Sequence, residues 1–187
     1  SCPGKLTVVI GLTNRGASRA VPAVRITIRN PAGEVVAMPE PQSIALPPGG
    51  QARQEVRCSI SSPQLWCVEN PCLYSVEAAL HLGPDRVDRV IWNFGIRTAQ
   101  FDPKQGFTLN GQPVILRGVN RHENLPGFGF ALPRALHAAD ARQIKQLGLN
   151  FVRLSHYPQS PAFLDACDRL GLLVYAEVCS WKQVNRG

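Results

Sequence analysis

The pattern of apolar and polar residues divides this chain into two unlike parts. Up to residue 98, short runs alternate apolar with polar residues, and clusters of Gly, Pro and Asn separate them. Period-two alternation is typical of strands with one buried face, and turn residues between short strands favour antiparallel pairing. Residues 1–98 are therefore predicted to form a β-sandwich with the strand number and length of an immunoglobulin-like domain. The predicted strands are residues 6–12, 24–28, 54–60, 74–82 and 87–93.

From residue 99 the pattern changes to strands that alternate with helices. Asn110-Gly111 predicts a two-residue hairpin, because a type I′ turn needs positive φ at both central positions. Ser160 is the predicted N-cap of a helix that ends before Gly171. The order of elements predicts parallel strands with right-handed crossovers, so residues 99–187 should form the first three strands of a (β/α)₈ TIM barrel, truncated after the third. The other elements are predicted strands at residues 114–119, 151–154 and 172–176 and a helix at residues 133–147.

Polar residues end the first two of these parallel strands. Residues 120–123 read NRHE after one apolar strand, and Arg153 and His156 end the next. In a parallel α/β barrel the C-terminal strand ends face the active site, so polar groups there indicate ligand chemistry rather than packing. The sequence therefore predicts a functional site at this end of the sheet.

Ordered motifs carry a resemblance to a known family. The chain reads FTLNG at 107–111, RGVNRHE at 117–123, VRLSHYP at 152–158 and CDRLGL at 167–172, with LW, NPCLY and NFGIR upstream at 65–66, 70–74 and 93–97. Their order and spacing resemble glycoside hydrolase family 2, which contains β-galactosidases, β-glucuronidases and β-mannosidases. In that family an immunoglobulin-like domain precedes the catalytic barrel, in agreement with the predicted sandwich.

The resemblance implies a retaining, β-galactosidase-like β-glycosidase that hydrolyses terminal β-linked sugars as part of a longer polypeptide. Its two catalytic glutamates are expected on the fourth and seventh barrel strands, beyond Gly187, so the isolated chain should be inactive. His122 and His156 match histidines that bind sugar hydroxyls, and Arg153 matches the arginine that keeps the nucleophilic carboxylate ionised. Asn120 and Glu123 are expected to be substrate-binding or supporting groups. No cofactor is implied.

Several alternatives remain open at this stage. His122 could cap a strand end and Arg153 could pair with a structural carboxylate. Glu177, at the end of the third parallel strand, could form an acid/nucleophile pair with Glu123 inside this chain, although its position matches one that is more often structural. The chain could also be a non-catalytic carbohydrate-binding or interaction module; a continuing reading frame with an Asn-Glu motif after a fourth strand would favour the enzyme.

Charge and composition narrow the range of expected binding partners. The 187 residues carry 20 Lys and Arg against 13 Asp and Glu, a net charge of +7, but the arginines are scattered among acidic residues rather than clustered as nucleic-acid binding requires. No apolar run approaches the roughly 20 residues needed to span a bilayer, and residues 1–12 are not expected to be a signal peptide. The expected partners are a β-linked glycoside or oligosaccharide and the remainder of a parent polypeptide, with homo-oligomerisation left open.

The cysteines and the last residues argue against a metal site. The six cysteines lack zinc-ligand spacing, and free thiols are favoured over a Cys67–Cys72 disulfide. Some β-galactosidases carry a magnesium site after the third strand, but residues 178–183 read VCSWKQ here and lack the acidic ligands that this cation favours. No metal is therefore expected.

Overall fold

A computed structural model describes residues 4–104 and 106–177, which form two compact units. The first unit contains residues 4–64 and 73–96. The second contains residues 97–177 together with residues 65–72, which lie within the first unit's sequence but belong to the second by their contacts. Cys2, Cys179 and the stretch 178–183 lie outside the described residues, so the metal expectation for that stretch stays a prediction.

The first unit is a sandwich of two antiparallel sheets. Its strands are β1 Gly4–Thr13, β2 Ala23–Arg29, β3 Val35–Ala37, β4 Gln42–Ser43, β5 Gln51–Ile60, β6 Tyr74–Leu82 and β7 Asp85–Phe94. One sheet pairs β1 with β5, and the other has the order β3-β2-β6-β7, with β4 also on β2. The five predicted strands are present. The short β3 and β4 were not predicted, because they are too short to show an alternating pattern.

Apolar alternation builds the core of this unit. The inward residues of β2 and β6, such as Ile26 and Val76, pack in one cluster with inward residues of β1 and β5, such as Val8 and Val56. Each of these four side chains is buried. Because every second residue of a strand faces the same side, the alternation that is visible in the sequence is sufficient to assemble this core.

The second unit begins with a small antiparallel sheet and continues as alternating strands and helices. Its elements are β8 Ala99–Asp102, β9 Gly106–Leu109, β10 Gln112–Pro113, β11 Gly118–Arg121, α1 Arg134–Gln146, β12 Phe151–Leu154, α2 Pro161–Leu170 and β13 Leu173–Ala176. The hairpin prediction is confirmed, since Asn110 has φ of 54° and Gly111 has φ of 77° between β9 and β10. Strands β11, β12 and β13 are parallel and lie side by side in chain order.

The first parallel strand starts later than predicted. The sequence indicated residues 114–119, whereas β11 covers Gly118–Arg121. The side chain of Asn150 replaces the strand ladder before it: Oδ1 accepts from the Arg117 backbone N–H at 2.8 Å, and Nδ2 donates to the Ile115 carbonyl at 2.9 Å. Ile115 is 70% exposed, whereas an apolar residue within the predicted strand 114–119 would be expected in the core. Gly118 allows the close approach that begins the ladder, because a Cβ there would collide with the Phe151 carbonyl.

Both helices cover one face of the parallel sheet. Phe163 of α2, Ala141 and Ile144 of α1 and the strand residues Val152 and Leu154 form one buried cluster. The predicted cap of α2 is confirmed, as the Ser160 hydroxyl accepts a hydrogen bond from the Ala162 N–H at 3.2 Å. In the described part of the chain, neither helix is long and apolar enough to cross a membrane.

Residues 65–72 contact the C-terminal ends of these two helices. The indole Nε1 of the buried Trp66 donates to the Asp168 carbonyl at 2.7 Å, and the Arg97 guanidinium lies 4.3 Å from the centre of the Trp66 ring. Lys145 donates to the carbonyls of Val68 and Gly171 at 2.9 and 3.0 Å. The segment therefore connects the C-terminal ends of both helices.

Candidate functional site

The two faces of the parallel sheet carry different chemistry. Strand register aligns Asn120 with Arg153 and Tyr175, so these three side chains share one face. Val152 and Leu154 point to the opposite face, where the helices bury them. Of the polar strand-end residues predicted from the sequence, Asn120 and Arg153 therefore lie on the face that the helices leave uncovered.

Both predicted histidines lie together where the strands end. The rings of His122 and His156 meet edge to face with 5.4 Å between their centroids. His122 is exposed and His156 is half-buried, so both can reach a ligand. The peptide bond between Ser155 and His156 is cis. Two imidazoles at this spacing present several hydrogen-bonding nitrogens to one small polar molecule.

Glu177 joins this group as a partner of both Arg153 and His156. Its Oε1 accepts from Arg153 Nε at 2.7 Å, and its Oε2 lies 3.3 Å from His156 Nδ1. Partial burial raises the pKa of Glu177, but the hydrogen bond and charge of Arg153, followed by those of His156, outweigh it and hold the pKa below its ordinary value. Glu177 is thus an ionised carboxylate that orients two predicted site residues.

Glu123 lies apart from that group. It is 9% exposed, and both its carboxylate oxygens accept from the Ser160 backbone N–H, at 2.9 and 3.0 Å. Its Oε1 also lies 3.4 Å from His137 Nε2. Glu123 and Glu177 therefore have separate sets of partners, and Glu123 is directed to the first turn of α2.

Sequence reasoning missed the residues beneath the site. Arg121 is 5% exposed and contacts Asp140, His137 and Gln159, none of which were singled out from the sequence. One signal was present: alternation in β11 places Arg121 on the same side as the helices, where a charged residue requires partners. Which helix residues supply those partners depends on the packing of α1.

Other parts of the described structure offer weaker support for a functional site. A groove of about 520 Å³ on the first unit is lined by opposite charges, including Arg25, Arg86, Glu40 and Glu77, and by no Trp, Tyr or Phe on which a sugar ring would stack. Among residues 4–104 and 106–177, no group of three or more His, Cys, Asp or Glu is placed to hold a metal ion. Within the same ranges, Cys58, Cys67, Cys72 and Cys167 carry free thiols.

Comparison with known proteins covers both units. The family model for glycosyl hydrolases family 2 matches residues 2–97, and the model for the TIM barrel domain of the same family matches residues 102–183. A β-galactosidase from Thermoanaerobacter pseudethanolicus is 41% identical over 126 residues, which cover 67% of this chain and 17% of that protein. A β-glucuronidase from Bacteroides fragilis is 31% identical over 176 residues, covering 93% of this chain and 25% of that protein.

Solved structures agree with these sequence matches. The crystal structure of a Bacteroides uniformis β-glucuronidase superimposes with a TM-score of 0.91 at 32% identity, over 94% of this chain and 21% of that one. The chain thus spans about a fifth of the length of the relatives that it matches. Its fold is the sandwich domain of these enzymes followed by the start of their TIM barrel domain. The chain belongs to glycosyl hydrolase family 2.

Proposed function

We propose that the polypeptide carrying this chain is a retaining β-glycosidase that hydrolyses terminal β-linked sugars. The observation that carries the proposal is the cluster of His122, Arg153, His156 and Glu177 at the parallel strand ends of a family 2 chain. Relatives named β-galactosidase and β-glucuronidase support this reaction class. In this proposal, the sandwich domain covers residues 1–98 and the barrel segment covers residues 99–187. Residues 65–72 pack with the barrel segment.

His122 and His156 bind hydroxyl groups of the sugar in this proposal. A neutral imidazole has one donor and one acceptor nitrogen, so it can satisfy a hydroxyl that both gives and receives a hydrogen bond. Asn120 shares the sheet face of Arg153 and offers an amide for the same purpose. Glu123 has a structural role in the site and does not contact the sugar, because its carboxylate already binds the Ser160 N–H and faces His137.

Arg153 supports the catalytic nucleophile. Retaining hydrolysis uses two carboxyl groups about 5 to 5.5 Å apart, one as acid and one as nucleophile. We place both on barrel strands that follow residue 187. The guanidinium has five N–H donors, so Arg153 can bind Glu177 and still donate to a second carboxylate. Its permanent charge would keep that nucleophile ionised.

Kinetics of the full polypeptide test the assignment. It should hydrolyse an aryl β-galactoside or an aryl β-glucuronide with retention of configuration, and the isolated 187-residue chain should not. Replacing His156 by Ala should lower kcat/KM by roughly 30-fold to 1000-fold with the fold intact, because a hydrogen bond that strengthens in the transition state is lost. Arg169→Ala on α2 is the control, since Arg169 is exposed and pairs with Asp165.

Two results would contradict the proposal. Hydrolysis by a preparation of the isolated chain freed of host enzymes would move the chemistry to carboxylates within residues 1–187, with Glu123 and Glu177 as the pair. Sugar binding by the full polypeptide without any hydrolysis would instead favour the non-catalytic carbohydrate-binding alternative.

A further inference from the structure

Each site histidine lies between two residues that contacts with other residues hold in place. His122 follows Arg121 and precedes Glu123, both of which are buried. His156 lies between the buried Ser155 and the half-buried Tyr157. The anchored neighbours also bind one another, as Ser155 N–H donates to the Arg121 carbonyl at 3.0 Å and Glu123 N–H donates to the Tyr157 hydroxyl at 3.0 Å.

Arg121 is the centre of the anchoring contacts. Its guanidinium donates through Nε to Asp140 and through Nη1 to the side chain of Gln159, and it lies 3.8 Å from the centre of the Phe163 ring. Gln159 Nε2 returns a hydrogen bond to the Arg121 carbonyl at 2.8 Å. Strand β11, helix α1 and the segment that follows β12 are therefore joined through one side chain.

His137 links Arg121 to Glu123, and the chemistry of its partners defines its tautomer. Arg121 Nη2 lies 3.2 Å from His137 Nδ1, and arginine has no acceptor, so Nδ1 must carry the lone pair. In the neutral ring the proton is then on Nε2, which faces Glu123 Oε1 at 3.4 Å. His137 accepts from Arg121, and its Nε2 lies within ion-pair distance of Glu123, so this ring stands between two buried side chains of opposite charge type.

Glu123 completes the chain of contacts at the first turn of α2. Its carboxylate accepts from the N–H of Ser160, the N-cap residue, where the helix dipole favours a negative charge. The contacts thus run from Asp140 through Arg121, His137 and Glu123 to α2. They lie on the opposite side of the sheet from Arg153.

We propose that Arg121, His137 and Glu123 are positioning residues that set the 5.4 Å pairing of His122 and His156, and with it the geometry of the sugar-binding cluster. Removing the His137 ring takes away the contact that links Arg121 to Glu123, so the strand end that carries His122 loses part of the support that holds it beside His156. The catalytic consequence rests on the proposed glycosidase function; the structural consequence does not.

The experiment uses the full polypeptide with His137 replaced by Leu. The ring centroids of His122 and His156 should separate in its crystal structure, and kcat per folded molecule should fall by about 100-fold with a much smaller change in KM, since an error of about 1 Å in placement costs that much. His137→Gln should restore most of the rate, because an amide offers both a donor and an acceptor. Tyr157→Phe removes only the hydroxyl between the strand ends and should lower kcat about 3-fold to 10-fold.

The matched control is Ile144→Val on the same helix. Ile144 is buried in the apolar cluster and is not one of the residues in the contacts from Asp140 through Arg121 and His137 to Glu123. This variant should therefore weaken α1 while the histidine pair keeps its geometry, and kcat should stay within about 2-fold. An unmoved histidine pair in His137→Leu, or in Tyr157→Phe if the Leu variant does not fold, would overturn the positioning role. If the unmodified polypeptide shows no hydrolysis, the glycosidase proposal is rejected. The crystal structures of the variants then decide the positioning role alone.

Discussion

The two units bury very different kinds of residue. Among the described residues, the first unit has one buried polar side chain, Gln54, whereas the second buries Arg121, Glu123, His137, Ser155 and Gln159 around two strand ends. Moving an ion out of water costs several kcal/mol unless a partner compensates, so charges persist inside only where their contacts are complete. The sandwich is held by apolar packing. The barrel segment accepts costly interior charges beneath the residues that would bind a ligand.

This contrast implies opposite responses to similar mutations. Apolar replacement of a polar residue should be tolerated in the first unit and harmful in the second. Native-state hydrogen exchange on the 187-residue chain can follow each unit separately, through the amides of β6 in the first and of α1 in the second.

The largest expected effect is that of Arg121→Met. This change leaves Asp140 and His137 without their buried donor, and breaking a buried ion pair from one side costs about 3 to 5 kcal/mol. Protection of α1 amides should fall by that amount, while β6 amides keep theirs. Arg57→Met is the control: its exposed pair with Glu55 should contribute about 0 to 1 kcal/mol. Equal, small losses in both variants would remove the contrast between the units.

A smaller effect comes from one substitution made in both units. Gln159→Leu removes a side chain that accepts from Arg121 and donates to its carbonyl, so we expect a loss of about 2 to 3 kcal/mol. Gln54→Leu should change stability by less than about 1 kcal/mol, because Gln54 Oε1 is already buried without a hydrogen bond and its partner Gln42 is exposed. Urea denaturation with the same exchange probes measures both. A Gln54→Leu variant that loses as much as Gln159→Leu would contradict the comparison.

The smallest effect on stability should come from Arg153→Gln on the uncovered face of the sheet. Without the guanidinium, the pKa of Glu177 should rise towards the ordinary value of a glutamate, because the hydrogen bond and the charge of Arg153 no longer favour the ionised form. A lowered carboxyl pKa stabilises the fold above the unfolded-state pKa, and that stabilisation is lost as pH falls through the folded-state pKa. In Arg153→Gln the contribution is reduced, so acid unfolding should begin at higher pH. The pKa can be measured by NMR from the chemical shift of the Glu177 side-chain carboxyl carbon as a function of pH. An unchanged pKa would show that Arg153 does not lower the pKa of this carboxylate.

Local signals in the sequence accounted for much of the fold. The Asn110-Gly111 turn and the Ser160 cap depend on backbone preferences of a few neighbouring residues, and both are present as predicted. The start of β11 was predicted wrongly, because the apolar run around Ile115 looked like a strand core. The bonds from Asn150 that occupy residues 115–117 come from more than 30 residues away and have no signature in the run itself.

The sequence by itself determined the sandwich, the alternation of parallel strands with helices, the family and the strand ends that carry His122, Arg153 and His156. Only the tertiary structure decided which carboxylate each strand end meets: Glu177 pairs with Arg153, whereas Glu123 turns to Ser160 and His137. The physical reason is that residue type and periodicity specify which face of an element is polar. The partner across that face depends on strand register and helix packing between segments far apart in the chain.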